Sequence, residues 1–232
     1  MRIVVVRPAY DKATHLCHSV ANAVIDKAHK TCEVVDLAGR RATRCRLEAC
    51  LDGSGDEPVV LVIYAHGPSE DEISGHCRHN GDEAELGDMA AERGGEHCSH
   101  RRLLDMANVD VLQALRVVAI ACNCGRGLGK AAPKAAGAYF LGFTDEIYLP
   151  FGTEEVVGNC LNAPALAAIE SPDEPLKIVR AMQLAADEAE DRSYEVPFPQ
   201  SAALALFVDG IRTGLVLNLH DGRAYDIDGR EL

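Results

Sequence analysis

Short runs of consecutive apolar residues alternate with longer stretches of helical period along most of the chain. Ile3 to Val6 is a continuous β-branched run, the pattern of a strand buried on both faces. Over residues 11–30 the apolar positions Leu16, Val20, Ala23, Val24 and Ala28 recur with a helical period, and Val34-Val35 within Cys32–Leu37 marks a second short strand. Residues 40–51 suit a helix, which Gly53-Ser54-Gly55-Asp56 breaks. Val59 to Ala65 is the strongest strand signal in the sequence. Residues 68–100 are polar and rich in Gly, His, Asp and Glu, with room for one short helix around 83–92. A helix is expected near 101–113, then a strand at Val117–Ala121, a Gly-punctuated turn, an Ala-rich helix and a strand at Ala138–Phe143. Helical stretches near 153–169 and 173–190 follow. Towards the end, Asp209-Gly210, Asp221-Gly222 and Asp228-Gly229 punctuate apolar runs, which is hairpin chemistry.

Strands alternating with helices, then a hairpin-rich tail, imply an α/β fold. A mostly parallel sheet is expected, covered by helices on both faces and ending in an antiparallel C-terminal hairpin edge. With 232 residues and no interdomain linker or internal repeat, the reading is one domain over 1–232, with a core at 1–150 and C-terminal helices and hairpin at 151–232.

Composition narrows the functional classes. The formal charge of −13 repels phosphate backbones and anionic lipid, so direct nucleic-acid binding is not expected and a cationic ligand or basic peptide is favoured. No apolar run approaches the roughly 20 residues that cross a bilayer, and Met1–Arg7 is too promptly polar for a signal peptide. Nine Cys without an export signal then read as reduced thiols in a cytoplasm.

Sites in open parallel sheets form beyond the carboxyl ends of strands, and two strand ends here carry reactive side chains. One run closes in Ala65-His66-Gly67, the other in Ala121-Cys122-Asn123-Cys124-Gly125-Arg126-Gly127. A neutral imidazole accepts a thiol proton, and the thiolate is the nucleophile. Gly67 leaves its backbone N–H open to approach, as an oxyanion donor must be. Cys122 falls at a strand-to-helix turn, where a helix N-terminus would favour negative charge.

A hydrophobic run closed by His-Gly, with a later one closed by Ala-Cys, resembles the caspase-like cysteine peptidases, the superfamily of caspases, metacaspases, legumains, gingipains, separases and bacterial CHAT proteases. His66 and Cys122 stand 56 residues apart, near the roughly 50 of caspases. The upstream segment Val35-Asp36-Leu37 with Ala42-Thr43-Arg44, and the downstream Gly137-Ala138 and Gly142-Phe143, extend the resemblance over residues 1–150. Cys122-Asn123-Cys124-Gly125 is nearer the Cys-x-Ser/Thr-Gly forms of CHAT proteases, gingipains and legumains than the caspase pattern, and Ile120 stands where metacaspases carry Asp.

The resemblance implies a three-layer α/β/α caspase-like fold and a cysteine endopeptidase without a cofactor. His66, Cys122 and Gly67 would be catalytic, acting on a protein or peptide substrate. Asp145 and Glu146 follow the strand after the nucleophile, where related peptidases build the pocket for the residue preceding the cleaved bond, P1; carboxylates there would suit Arg or Lys. Kinship with CHAT and caspase-like effectors suggests activity gated by an activating protein or small-molecule ligand, in an antiviral defence role.

Other patterns compete. Cys124 is the alternative nucleophile, and Arg2, Arg7, Arg126 and Lys130 would instead build an acid-selecting pocket. Gly125-Arg126-Gly127-Leu128-Gly129-Lys130 suggests a phosphate loop, but Ala131 stands where a P-loop needs Ser or Thr. His76-Cys77-Arg78-His79 and His97-Cys98-Ser99-His100 carry six soft or borderline zinc ligands, with tighter spacing than structural zinc sites use. A zinc-stabilised regulatory subunit and a non-catalytic ligand- or protein-binding module are the alternatives to the peptidase.

Overall fold

The computed structural model describes residues 1–52, 57–76 and 102–232. Its centre is a seven-stranded mixed sheet. The first strand, β1 (Arg2–Arg7), lies between β2 (Glu33–Ala38) and β3 (Val59–Tyr64), parallel to both. Next to β3 comes β6 (Arg116–Ile120), then β7 (Tyr139–Phe143), again parallel. The edge is antiparallel: β8 (Leu215–Leu219) pairs with β7, and β9 (Ala224–Tyr225) with β8. The order is therefore β2-β1-β3-β6-β7-β8-β9. A separate two-stranded ribbon joins β4 (Glu72–Ser74) to β5 (Arg102–Asp105).

Side chains alternate across the sheet, so each strand feeds two cores. Ile3, Val5, Val60, Val62, Tyr64, Val118 and Ile120 face one side. There they pack against α1 (Lys12–Val20), α2 (Asn22–Ala28), α5 (Glu154–Glu170), α6 (Pro175–Ser193) and α7 (Gln200–Gly214). Val4, Val6, Leu61, Ile63, Val117, Ala119 and Ala121 face the other, beneath α3 (Arg44–Asp52), α4 (Gly127–Ala131) and the ribbon. Burial on both faces is why β1 and β3 read as unbroken apolar runs.

The strands and the long helices fall where the periodicity places them; three segments do not. The helix expected near 101–113 is instead β5 followed by a 3₁₀ turn at Val109–Leu112. Leu103 and Leu104 are buried, and Arg102 pairs with Glu72 across the ribbon at 2.8 Å. Helix is then blocked at Asp105, whose carboxylate takes the Ala107 amide while Asn108 takes the Asp105 amide. The Ala-rich helix shrinks to the five residues of α4, with Pro133 just beyond it. Asp209-Gly210 is no turn but lies inside α7, whose Leu204, Phe207, Val208 and Ile211 are buried. Asp221-Gly222 does form the β8–β9 turn, with Gly222 at φ +87°. The helix expected around 83–92 lies outside the described residues.

Candidate active site at the strand tips

Register decides what meets what at the carboxyl end of the sheet. The β3–β6 ladder pairs Val60 with Arg116 and continues to Tyr64 with Ile120, a constant offset of 56 residues. The Ala65 amide still donates to the Ile120 carbonyl at 3.2 Å. His66 and Cys122 obey the same offset, each two residues past the last pair, so they stand level on neighbouring strands spaced by roughly 4.8 Å. Alternation from Tyr64 and Ile120 carries both towards the face covered by α1.

Beyond the ladder the two backbones close on each other. A methyl group on Gly67 would stand 1.7 Å from the Cys122 carbonyl oxygen, so only glycine fits. Asn123 adopts φ +59° and donates from its side-chain amide to the Gly67 carbonyl at 3.1 Å. Asn is among the few non-glycine residues that enter this left-handed region readily. The His-Gly peptide and the Cys-Asn peptide are thus locked together.

His66 has a partner that sequence reasoning missed. Asp11 lies just beyond the tip of β1 and caps α1, accepting the Thr14 amide at 2.8 Å while the Thr14 hydroxyl accepts the Asp11 amide at 3.0 Å. This reciprocal cap leaves the second carboxylate oxygen, Oδ2, for His66 Nε2, 2.7 Å away. A carboxylate only accepts, so Nε2 carries the hydrogen and Nδ1 is left as the basic nitrogen. Tyr10 packs beside the ring, its centroid 5.9 Å from that of His66. Burial opposes ionisation of Asp11, but the Thr14 amide, His66 and the Thr14 hydroxyl together outweigh it and hold the carboxyl below its usual range. Both side chains are about two-fifths exposed, at 42% and 43%, so the pair orients the imidazole more than it stabilises the fold. The strand-tip position and the Asp-x-x-Thr cap were the available signals.

Cys122 is half-buried, and burial pushes its thiol up; the nearby Glu146 charge adds to this. Against that, the Ile147 amide donates to Cys122 Sγ at 3.2 Å. This amide, rather than the N-terminus of α4, is the backbone donor at the sulfur, because α4 begins only at Gly127. The segment carrying Ile147 is itself held in place. Thr144 donates to the Gly214 carbonyl at 2.7 Å, and the Asp145 carbonyl accepts the Asn123 amide at 3.3 Å.

His66 and Cys122 line one cavity of about 210 Å³. Ala13, Thr14 and Cys17 of α1 form one wall, and Ile147, Tyr148, Leu149 and Phe151 the opposite one. Cys17 is therefore more than a core filler: it shares the cavity with Cys122. Burial raises its thiol to about 12, with the Cys122 and Asp11 charges adding to the shift.

The remaining expected residues lie elsewhere. Cys124 is fully buried in the opposite core, its thiol donating to the Ala121 carbonyl at 3.1 Å and pushed up to about 12 by burial. Asp145 and Glu146 are exposed and outside the cavity walls; Asp145 faces Arg126 at 3.6 Å. The four basic residues of the acid-selecting alternative do not converge. Arg7 is bidentate to Asp36, Arg2 contacts Glu33 and the Cys50 carbonyl at the other end of the sheet, and Lys130 is exposed on α4. The glycine loop does not present a phosphate cradle. Glu70 takes the Leu128 amide with its carbonyl, and the Asp71 carboxylate lies against Gly127. Of the two His-Cys-x-His clusters only His76 falls among the described residues; Cys77, His79, His97, Cys98 and His100 lie outside them. Among the described residues no three metal-ligating side chains gather, and no helix is long and apolar enough to cross a membrane. No protein-family model and no curated protein matches the chain.

Proposed function

We propose that the protein is a cysteine peptidase of caspase-like architecture, in which Cys122 is the nucleophile, His66 the proton carrier and Asp11 the residue that orients the imidazole. The observation that carries this reading is the β3–β6 register, which sets His66 level with Cys122 on one cavity while Asp11 binds Nε2 of the ring and leaves Nδ1.

The steps follow from those groups. The thiol is held neutral at rest by burial, so attack requires that His66 Nδ1 take the proton as Sγ bonds to the substrate carbonyl carbon. Asp11 stabilises the imidazolium that results, without itself taking the proton. The Ile147 amide at Sγ favours the developing thiolate. The amide groups of Gly67 and Cys122 serve as the oxyanion donors in this reading. His66 returns the proton to the leaving amine as the C–N bond breaks. Water, deprotonated by His66, then hydrolyses the thioester and regenerates the thiol.

The test is reaction with a panel of acyloxymethyl ketones, read by intact mass. The reading expects a single adduct that is lost in both Cys122→Ala and His66→Ala. An adduct that persists in Cys122→Ala, or its absence from the unaltered protein across the panel, refutes it. Retention of noncovalent ligand binding without any adduct would favour a binding module on the same sheet.

A further inference from the structure

We infer that the cavity beside Cys122 is a subsite for an uncharged aliphatic or aromatic side chain of the substrate, and that Arg and Lys are excluded from it. This rests on the peptidase reading and names its substrate class. It departs from the basic preference that Asp145 and Glu146 would have conferred.

The walls argue for it chemically. Away from the dyad, the cavity is bounded by Ala13, Cys17, Ile120, Ile147, Leu149 and Phe151. Apart from the exposed Tyr148, its polar members are already committed. Thr14 closes the α1 cap with Asp11, His66 is bound to Asp11, and Cys122 accepts from Ile147. No carboxylate belongs to the walls. A guanidinium or ammonium drawn into such a space would lose its water without gaining a counter-charge, which buried cations do not tolerate. At the rim the Lys12 ammonium, 3.8 Å above the centroid of the Phe151 ring, has the wrong sign for a basic guest, while the Glu146 charge acts on Cys122 from outside the walls. Asp145, the obvious counter-ion, is turned to Arg126.

Size agrees. An apolar cavity of about 150 Å³ admits benzene, so about 210 Å³ holds the side chain of Leu, Met or Phe. The same space opens on Cys122 and His66, which is where the side chain adjoining the attacked carbonyl must lie. The wall residues also explain why the acidic pair is misleading in the sequence. Asp145 and Glu146 immediately precede Ile147, and it is Ile147 that turns inward, with its amide on the sulfur.

The experiment compares labelling rates for acyloxymethyl ketones that differ only at P1, with Leu, Met and Phe against Arg, Lys and Asp. Alongside, methyl NMR of Cys122→Ala protein is followed during titration with N-acetyl-leucine amide and N-acetyl-arginine amide. Apolar probes are expected to react about 100-fold faster or more. The leucine amide, but not the arginine amide, should shift the Ala13, Ile120 and Leu149 methyl signals. Ala13→Phe, which fills the cavity from α1, should move the preference to Ala, and Leu149→Glu should raise the Arg and Lys rates at least about tenfold. Faster reaction with Arg or Lys in the unaltered protein, or equal rates across the panel, overturns the apolar subsite while leaving the dyad standing. Absence of all labelling with the leucine-specific methyl shifts preserved sinks the peptidase reading and keeps the subsite. Loss of both overturns both.

Discussion

Cys122 and Cys124 are separated by one residue, yet they belong to opposite sides of the sheet. Continued strand alternation would have put both sulfurs on the α1 face. Asn123, at φ +59°, reverses the chain between them. The first thiol is left in the cavity beside His66 and Cys17, and the second drops among Phe140, Ala121 and Leu128. Burial raises both thiols, but their neighbours differ. The cavity thiol shares its space with a histidine and has an amide donor at its sulfur. The core thiol donates to a carbonyl, and a methyl group on Gly142 would stand 2.9 Å from its sulfur. Sulfur chemistry here is decided by which face receives the side chain, not by the residue type.

The sharpest way to break that contrast is to remove each thiol in turn. Cys122→Ala should lower peptide hydrolysis or probe labelling by about 10³-fold or more, with little change in thermal unfolding. Next in size is Gly67→Ala, whose methyl has no room against the Cys122 carbonyl. It should cost about 3 kcal/mol, lowering Tm by about 6–12 °C. An unchanged Tm would mean the two peptides are not in contact.

Cys124→Ala should do the converse of Cys122→Ala. A buried sulfur and its hydrogen bond are lost, for about 1–2 kcal/mol in denaturant titration, while labelling of Cys122 stays within about threefold. A collapse of labelling in Cys124→Ala would reverse the assignment of the two thiols.

Asp11→Asn tests the support of His66 on the cavity side. Asn still caps α1, so stability should fall only slightly, while kcat falls at constant KM, by up to about 10⁴-fold, because the imidazolium loses its carboxylate. Asp11→Ala should show the same kcat loss plus about 1 kcal/mol of destabilisation from the missing cap.

The smallest effect is acid sensitivity. Because the folded state lowers the Asp11 pKa, its contribution is fully present above the unfolded value of about 3.9. That contribution disappears as pH falls through the lower folded value. Asp11→Asn should therefore lower stability slightly at neutral pH and flatten the acid limb of an unfolding curve, because the lost contribution is the one present above the unfolded value.

Much of this was legible from local pattern. The buried runs at Ile3–Val6 and Val59–Ala65, the long C-terminal helices and the Asp221-Gly222 turn each follow from periodicity or turn chemistry within a few neighbours. The pair His66 and Cys122 was also legible, because the strand-tip rule singles out both ends. Less was legible where distant chain decides local form. The segment 102–112 became a strand and a 3₁₀ turn because Leu103 and Leu104 found a partner strand and a core. Asp209-Gly210 stayed helical because α7 had an apolar face to bury.

Cys17, Ile147 and Leu149 carry no signal of their own as site residues, and Asp11 carries only its strand-tip position and its Asp-x-x-Thr cap. They converge only when β1, β6 and β7 lie in one sheet and α1 folds over its tip. The sequence by itself determined the parallel α/β sheet, the reactive residues at its strand ends and the glycine their junction requires. Those properties depend on side-chain period and backbone sterics within a few residues. The tertiary structure alone decided which thiol shares a cavity with His66, which carboxylate holds that imidazole and that most of the cavity wall is apolar, because each depends on contacts between residues far apart in the chain.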